Sequence, residues 1–371
     1  MKILVTGSGG FIGKNLVCQL HNLGYSNILE YDRTKSEKDL DEYTKQCEFV
    51  FHLAGVNRIQ NKNECMEENY NFTLKLIQAL KRNNNKSPIL FSSSIQAKLD
   101  NEYGKSKKLS EEILLNYSKQ NNVKIIIYRL TNVFGKWCKP NYNSVVATFC
   151  YNIANNIPIK INDKNTVLNL SYIDDVVEEF INIMNEKTDT NKKYYYNSKI
   201  YSVKLGKIAT LIKSFKKSRE NLYIPNTKNE FIKKLYSTYL SYLPENNFAY
   251  NIKTNTDERG LFTELFKTNE RGQFSVNIIK PGITKGNHWH NTKNEKFIVV
   301  SGKGVIKFRK IGCNKIIEYY VDDKNIKIID IPVGYTHNIT NLGNTNMVVI
   351  MWANEIYNAE KSDTYFLKVN N

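Results

Sequence analysis

The chain has 371 residues, of which 41% are apolar and 24% charged, and its formal net charge is +17. This length exceeds what one hydrophobic core ordinarily supports, so the sequence predicts two domains. Clustered lysines and arginines would indicate a nucleic-acid partner, but here the lysines are spread along the whole chain. We therefore predict no nucleic-acid binding.

The sequence lacks a long apolar segment and a cysteine motif, and both facts exclude further classes of protein. No window offers about 18 uninterrupted apolar residues, and the N-terminus enters an apolar strand pattern at once, without a basic leader. The six cysteines have no CxxC spacing, which favours reduced thiols over a disulfide framework or a zinc cluster. The sequence thus predicts a cytoplasmic protein without a membrane partner.

Short apolar runs alternate with amphipathic stretches from Met1 to about Met184. Leu16, Leu20 and Leu23 recur at helical spacing, and Gly24 is a plausible helix stop. Such alternation predicts a doubly wound parallel α/β sheet, covered on both faces. The predicted strands are Ile3–Thr6, Asn27–Tyr31, Phe49–Ala54, Ile89–Ser93 and Lys124–Arg129.

A glycine-rich segment, KILVTGSGGFIGKNL, joins the first predicted strand to the first predicted helix. Glycines there permit a tight turn and close approach of a pyrophosphate, which the helix N-terminus would attract. We predict a dinucleotide site made of Gly7, Gly10, Phe11, Ile12 and Gly13.

The second predicted strand is followed by Asp32 and Arg33. An acidic residue there suits the ribose 2′-hydroxyl of NAD, whereas an arginine just beyond it suits the 2′-phosphate of NADP. Because Arg33 can turn onto a phosphate while Asp32 points away, we predict NADPH as the cofactor.

Tyr103 and Lys107 form a Tyr-x-x-x-Lys pattern, which places a phenol and an ammonium on one helix face. The ammonium lowers the phenol pKa, so that the phenol can exchange a proton with a substrate oxygen during hydride transfer. Tyr31 and Lys35 have the same spacing. We favour the first pair because it follows a predicted strand whose Ser94 can bind the same oxygen.

The first 240 or so residues resemble the extended short-chain dehydrogenase/reductases that act on nucleotide sugars. The resemblance rests on the glycine pattern with HLAG, SSS, YGKSK, YRLTNVFG and SYIDDV. It implies a Rossmann-type fold, with Ser94, Tyr103 and Lys107 as catalytic residues. It also implies that Asn132 lies near the substrate phosphates and that Asn143 and Val145 line the sugar-nucleotide pocket.

Within this family, dehydratases follow the serine or threonine with an Asp-Glu pair, whereas Ile95 and Gln96 stand here. Simple 4-epimerases keep NAD permanently and would not need Arg33. The resemblance therefore implies a net reductase. A 4-epimerase or dehydratase with a structural C-terminal domain is the alternative.

The pattern of apolar and turn residues changes after Pro244 to Asn247, so we predict domains at 1–245 and 246–371. Short strand-like runs separated by Gly, Asn, Asp and Pro indicate an all-β barrel or sandwich. These runs are Phe274–Ile279, Lys296–Val300, Val305–Phe308, Ile316–Tyr320, Ile326–Ile331 and Met347–Trp352.

Three of the five histidines of the chain fall in one C-terminal pattern with a glutamate. His288 and His290 share a strand face, and later strands supply Glu295 and His337, a set of three nitrogens and one oxygen suited to Zn, Ni, Mn or Fe. We predict one divalent metal ion, with zinc as the first candidate. The spacing resembles both cupin motifs, which implies a jelly-roll barrel.

The segment TDERGLFTELF is similar to the entry segment of keto-deoxysugar epimerases, in which a histidine removes a proton beside a carbonyl. In that alignment His288 is either a ligand or the base, and we favour the ligand. The segments GKWCKPNYNSVVATFCY, LYSTYLSYLP and GNHWHNTKNEKF extend the resemblance over the whole chain, which is similar to bifunctional capsule-biosynthesis enzymes. They epimerise a UDP-linked 4-keto amino sugar at C3 and reduce it at C4, giving UDP-N-acetyl-L-talosamine, and the family suggests a homodimer.

Overall fold

In the computed structural model of the chain, residues 1–56, 64–186 and 192–370 are described. They form two compact units: Met1–Ser214 with Thr227–Glu245, and Asn246–Asn371 with Phe215–Asn226. The segment from Phe215 to Asn226 differs from the predicted domains, which counted it with the first. Its backbone explains the difference, since Ile224 donates to Lys267 O at 2.9 Å and Lys267 donates to Leu222 O at 2.9 Å.

The first unit contains strands and helices in alternation. The strands are β1 (Ile3–Thr6), β2 (Ile28–Tyr31), β3 (Phe49–His52), β4 (Ile89–Ser94), β5 (Ile125–Leu130), β6 (Asn132–Phe134), β7 (Val167–Tyr172), β8 (Tyr194–Tyr196) and β9 (Tyr201–Lys204). The helices are α1 (Phe11–Asn22), α2 (Glu37–Gln46), α3 (Glu64–Arg82), α4 (Glu102–Asn121), α5 (Val145–Ala154), α6 (Ile173–Met184), α7 (Leu205–Asn221), which runs on into the second unit, and α8 (Glu230–Leu240).

Six strands pair in parallel in the order β2-β1-β3-β4-β5-β8. The order reverses between β1 and β3, and in open parallel sheets a crevice for ligands lies at the carboxyl ends of the strands at such a point. A small sheet, β6-β7-β9, accompanies them. The glycine-rich segment after β1 therefore opens into this crevice.

Both faces of the large sheet are buried. Ile3 and Val5 of β1 pack with Leu16 of α1 on one face, whereas Leu4 between them packs with Leu76 of α3 on the other. Neighbouring residues of a strand point to opposite faces, so a strand buried on both sides is apolar throughout. The predicted doubly wound α/β sheet is confirmed.

The second unit is built from antiparallel strands. They are β10 (Thr254–Asp257), β11 (Gly260–Thr268), β12 (Gly272–Ile279), β13 (Thr284–Trp289), β14 (Glu295–Ser301), β15 (Lys303–Lys310), β16 (Ile316–Asp322), β17 (Ile328–Ile331), β18 (Tyr335–Asn341), β19 (Met347–Ala353) and β20 (Tyr365–Phe366).

These strands form two sheets, ordered β10-β11-β12-β19-β14-β17 and β16-β15-β18-β13-β20. Apolar side chains from both sheets make one core that includes Phe297, Val349, Ile306 and Ile339. Two sheets closed over a shared core are the arrangement of a jelly roll, which confirms the predicted all-β domain.

Among the described residues, no helix is long and apolar enough to cross a membrane. The thiols of five cysteines are free of disulfides: Cys18, Cys47, Cys138, Cys150 and Cys313.

Candidate active sites

The glycine-rich segment of the first unit is shaped by two close backbone contacts. Gly7 has φ +73°, and a Cβ there would lie 2.7 Å from Ala54 N, while a Cβ on Gly13 would lie 2.1 Å from Gly7 O. Neither position can carry a side chain. Helix α1 has no side-chain N-cap, so its first-turn N–H groups, near Phe11 and Ile12, lack the usual protein acceptor.

A cavity of 780 Å³ lies beyond β2, where the adenosine end of a dinucleotide would bind. Asp32 and Arg33 both line it. Thr34 donates to Asp32 Oδ1 from its backbone N at 2.9 Å and from its hydroxyl at 2.6 Å. These two bonds hold the pKa of Asp32 below its usual value.

The other oxygen of Asp32 faces the glycine-rich segment, since a Cβ on Gly9 would lie 2.9 Å from Oδ2. Asp32 thus does not turn away from the cavity, as the argument for NADPH had assumed. The Arg33 guanidinium is 83% exposed and lies 3.0 Å from Glu68 Oε2. The two side chains predicted to distinguish NAD from NADP, Asp32 and Arg33, therefore both lie at the cavity wall.

A second cavity, of 860 Å³, contains the predicted catalytic residues Ser94, Tyr103 and Lys107. Ser94 ends β4, and its hydroxyl accepts the N–H of Gln96 at 3.1 Å. Lys107 is buried on α4 and donates to Ser92 O at 2.9 Å. The main chain of β4 thereby fixes the ammonium beside the other two residues.

Helix α4 closely approaches the short 3-10 turn that follows β4 (Ile95–Lys98) because of Gly104. A Cβ there would lie only 2.1 Å from Gln96 O. The competing pair with the same spacing has no such setting: Tyr31 lies in β2 and stacks on Phe72 at 5.7 Å, and Lys35 lies in a turn outside any helix. The structure thus separates the two patterns that spacing alone left equal.

The predicted substrate residues Asn132, Asn143 and Val145 line the same 860 Å³ cavity. Val145 begins α5, whose N-cap Ser144 accepts the N–H of Ala147 at 3.3 Å. The prediction missed Trp137, a half-exposed residue of the same cavity wall with φ +68°. A bulky residue in this conformation is unusual, and no sequence pattern signals it.

A buried histidine behind the cofactor cavity also escaped the prediction. His52 lies between the hydroxyls of Thr6 at 2.9 Å and Thr73 at 3.0 Å. Burial, and then the charge of Lys107, lower its pKa to about 3. His52 is therefore neutral and joins β1 to α3 below the glycine-rich segment.

A buried ion pair joins helix α4, which carries Tyr103 and Lys107, to the sheet. Arg129 of β5 donates to both carboxylate oxygens of Glu111 on α4, at 2.9 and 2.6 Å, and Ser93 donates to Glu111 at 2.5 Å. A two-point contact of this kind restrains orientation as well as distance. Glu111 lies one helical turn after Lys107 and so helps to fix its position.

The predicted metal ligands meet in the second unit. One potential ligand atom from each of His288, His290, Glu295 and His337 lies within 4.8 Å of all the others. His288 is on β13, His290 directly follows it, Glu295 begins β14 and His337 is on β18. Strands far apart in the chain thus contribute to one cluster.

The cluster passes a test for cation binding. Buried atoms without a hydrogen-bond partner include His290 Nε2, Glu295 Oε2 and both ring nitrogens of His337. His290 Nδ1 lies 2.5 Å from Asp363 O, which assigns its proton to Nδ1 and leaves the Nε2 lone pair for a ligand. Such orphaned atoms are costly unless a cation engages them.

The charge state of the cluster fits a cation as well. Burial lowers the pKa of His288 to about 4, so its imidazole is neutral at pH 7. Burial alone would raise the pKa of Glu295, but His290, His337 and Lys293 outweigh it, and the pKa lies well below its usual value. Neutral imidazoles with one carboxylate are the donors that zinc and similar metals take.

The loop after His290 is held by one side chain. Asp363 accepts the backbone N–H groups of Asn291, Thr292 and Lys293 at 3.0, 2.7 and 2.9 Å. Because its carbonyl also holds the His290 ring, Asp363 supports both the loop and the ligand. Sequence spacing gave no sign of this residue.

The histidine cluster opens into a cavity of 740 Å³ with a polar wall. Gln273, Ser275 and Asn277, at alternate positions of β12, are buried and line it. Alternate residues of a strand share one face, so this strand turns its polar face inward. Such a wall suits a ligand rich in hydroxyl and amide groups.

These two sites define a class: a dinucleotide-binding unit with a Ser-Tyr-Lys site, joined in one chain to a double-sheet unit with a His-Glu cluster. The chain belongs to the NAD dependent epimerase/dehydratase family, whose model matches residues 3–197. A nicotinamide cofactor follows from that membership. Residues 255–365 match the polysaccharide biosynthesis C-terminal domain.

Several relatives align with the whole length of this chain. A UDP-2-acetamido-2,6-beta-L-arabino-hexul-4-ose reductase from Pseudomonas aeruginosa is 41% identical, covering 100% of this chain and 99% of the relative. The crystal structure of the capsular polysaccharide assembling protein CapF from Staphylococcus aureus has 50% identity and TM-score 0.94, covering 100% of both chains. A structure of CapF with the inhibitor 3-isopropenyl-tropolone has 47% identity and TM-score 0.89, again over both full chains.

Proposed function

We propose that the chain is a bifunctional nucleotide-sugar enzyme of capsule synthesis. Its second unit epimerises a UDP-linked 4-keto-2-acetamido-2,6-dideoxyhexose at C3, and its first unit reduces the C4 ketone with NADPH, giving UDP-N-acetyl-L-talosamine. One observation carries the proposal: a Ser-Tyr-Lys cavity and a separate His-Glu cavity occur in a chain that aligns end to end with a keto-sugar reductase.

In the reductase cavity the phenol of Tyr103 delivers a proton to the C4 oxygen, and Lys107 lowers its pKa through its nearby charge. Ser94 donates a hydrogen bond to the same oxygen and orients it. Asn132, Asn143 and Val145 hold the sugar nucleotide. NADPH supplies the hydride.

The preference for NADPH rests on the charges at the adenosine end. Arg33, Lys35 and Lys75 line that cavity, and Lys75 and Arg33 each pair with an acidic residue that a phosphate can displace. Asp32 opposes this preference by its own charge. Its Oδ1 already accepts two bonds from Thr34, which weakens its ability to capture a ribose hydroxyl.

In the second unit, the C4 carbonyl acidifies the neighbouring C3–H, so proton removal and return can invert C3. Reduction then removes that acidity and fixes the new configuration, which sets the order of the two steps. His288, His290, Glu295 and His337 would hold a divalent cation, with zinc as first candidate. The cation would supply positive charge to the substrate oxygens during enolisation.

The inhibitor in the second CapF structure, 3-isopropenyl-tropolone, supports a cation. Tropolones carry adjacent oxo and hydroxyl oxygens, an arrangement that chelates metals. The homodimer and the cytoplasmic location remain predictions from the sequence.

The test uses the full-length protein with the UDP-linked 4-keto sugar. In deuterium oxide without NADPH, the protein should introduce deuterium at C3. With NADPH it should give a talo-configured product, identified by NMR and mass. If C3 gained no deuterium, or if the product kept its C3 configuration, the second unit would have only a structural role. That result would favour the alternative, a 4-epimerase or dehydratase with a structural C-terminal domain. Tightly bound NAD in the purified protein would favour a 4-epimerase.

A further inference from the structure

A break in strand pairing changes which side chains of β13 enter the second cavity. Opposite β18, Lys285 pairs with Ile339 and Gly286 with Asn338, but the register then shifts so that His288 pairs with His337. The extra residue is Asn287. A bulge of this kind bends the strand and redirects the side chains that follow.

The bulge is built into the backbone. Gly286 has φ +106° and Asn287 φ +60°, and a Cβ on Gly286 would lie 2.8 Å from His337 O. Asn287 Oδ1 accepts Asn338 Nδ2 at 2.9 Å and the N–H of Val369 at 3.2 Å. The bulged side chain is thus bonded to β18 and the C-terminal segment.

Lys285 and His288 would point to opposite faces of a regular strand, because they lie three residues apart. With the bulge between them, both line the 740 Å³ cavity. Lys285 Nζ donates to Oδ1 of the buried Asn277 at 2.8 Å. An amine on the same strand as the histidine cluster is therefore held in place inside the cavity.

The proposed epimerisation needs a base, and the cluster cannot supply it if all four of its side chains hold a cation. The other titratable groups of the described cavity wall are Lys253, Glu264, Lys285, Lys293, Glu355 and Tyr357. Glu264 is paired with Lys267 at 2.8 Å, and Lys293 with Glu295 at 3.0 Å. Lys253 and Tyr357 are exposed.

Glu355 and Lys285 remain, and two observations favour the lysine. Its amine is fixed by a buried amide, and burial lowers its pKa, which raises the fraction of neutral amine. The charges of the β10–β11 turn act in opposite senses: Asp257 raises the pKa and Arg259 lowers it, and the two are paired with each other. His288 on the same strand and His337 on the neighbouring β18 are titratable groups that line the cavity with Lys285, and Tyr335 on β18 and Tyr365 on β20 are further titratable groups of the neighbouring strands.

We propose that Lys285 is the base that removes the C3 proton, an inference that rests on the proposed epimerase function. The neutral amine takes the proton, the C3–H electron pair forms the C3–C4 double bond, and the carbonyl π electrons move to the C4 oxygen. The C4 carbonyl then re-forms from the oxyanion, and the C3–C4 π electrons take a proton from water on the opposite face of C3, leaving hydroxide. Lys285 passes its own proton to solvent, so the step is an isomerisation without net redox change.

The test is exchange of the C3 proton in deuterium oxide, followed by NMR with full-length protein, keto sugar and no NADPH. Lys285→Arg keeps a positive charge but offers no neutral amine near pH 7, so exchange should fall by about 100-fold or more. Lys303→Arg, an exposed lysine on β15, is the matched control and should exchange like the wild type. Metal content and NADPH binding, measured in the same samples, should be unchanged in both.

Two further readouts separate a base from a positioning residue. Wild-type exchange should rise with pH, since deprotonation of Lys285 activates it. Small primary amines should restore exchange to Lys285→Ala, with a pH profile that follows the pKa of the added amine. Exchange by Lys285→Arg at the wild-type rate, or failure of every amine to restore Lys285→Ala, would overturn the assignment. A wild-type protein that exchanges nothing would instead refute the proposed epimerase.

Discussion

The two candidate sites differ in how completely the protein itself satisfies their polar groups. In the first unit, Lys107 donates to a strand carbonyl and Ser94 accepts a backbone N–H, so these two side chains are anchored by protein atoms alone. In the second unit, buried atoms of His290, Glu295 and His337 have no hydrogen-bond partner.

This difference has a physical consequence. A site whose polar groups are satisfied by protein can keep its geometry while a dissociable cofactor enters and leaves. A site with several unsatisfied buried donors and acceptors is unfavourable until a cation engages them, so binding free energy becomes part of its stability. We therefore expect the second unit, and not the first, to depend on metal for its fold.

The largest effect should come from the reductase cavity. Tyr103→Phe removes the proton donor and should slow NADPH oxidation with the keto sugar by about 100- to 10,000-fold. Deuterium incorporation at C3, which we propose for the second unit, should continue. Tyr25→Phe, which removes a phenol bonded to Asn185 at 3.0 Å, is the control and should reduce normally. Equal loss of both activities in Tyr103→Phe would contradict the separation of the sites.

Removing the cation tests whether the His-Glu cluster of the second unit depends on a bound metal. Dialysis against a strong chelator should take one metal ion per chain, abolish C3 exchange and lower the unfolding temperature of the second unit. A ligand present at 100 times its Kd stabilises a fold by about 2.7 kcal/mol, which sets the scale of the loss. NADPH binding should persist. His290→Ala should behave like the chelated protein, and retention of its metal would remove His290 from the ligand set.

A smaller effect should come from the residue behind the cluster. Asp363→Asn weakens the acceptor of three backbone N–H groups in the loop after His290, so metal affinity should fall by about tenfold. Competition with a chromogenic chelator measures this affinity. Asp330→Asn, an exposed carboxylate on β17, is the control. An unchanged affinity in Asp363→Asn would show that the loop needs no such support.

The smallest effect should be at the adenosine end of the first unit. Arg33→Ala should weaken NADPH binding by about tenfold, because one charge-assisted bond to an exposed phosphate is lost, and should leave NADH binding unchanged. Fluorescence titration with both cofactors provides the measurement. Equal affinities of the wild type for NADPH and NADH would refute the NADPH preference itself.

Much of the fold followed from local pattern. Apolar runs located β1 and β3, and the Gly7 to Gly13 spacing located the turn between strand and helix, because burial on both sheet faces leaves a clear signal. The alternation of His288 and His290 likewise indicated a shared face. Strand β18, with Tyr335 to Asn341, was not among the predicted apolar runs, because most of its buried positions carry polar residues. Only the ligand pattern placed His337 on a strand.

The sequence by itself determined the two fold classes, the relation to nucleotide-sugar enzymes and the candidate ligands, because these depend on residue type and short spacing. Only the tertiary structure decided that Tyr103, and not Tyr31, shares a helix face with a lysine beside Ser94. It alone showed that Asp32 faces the glycine-rich segment and that a bulge brings Lys285 into the cavity with His288. Those features depend on register and packing between segments far apart in the chain, which local periodicity does not encode.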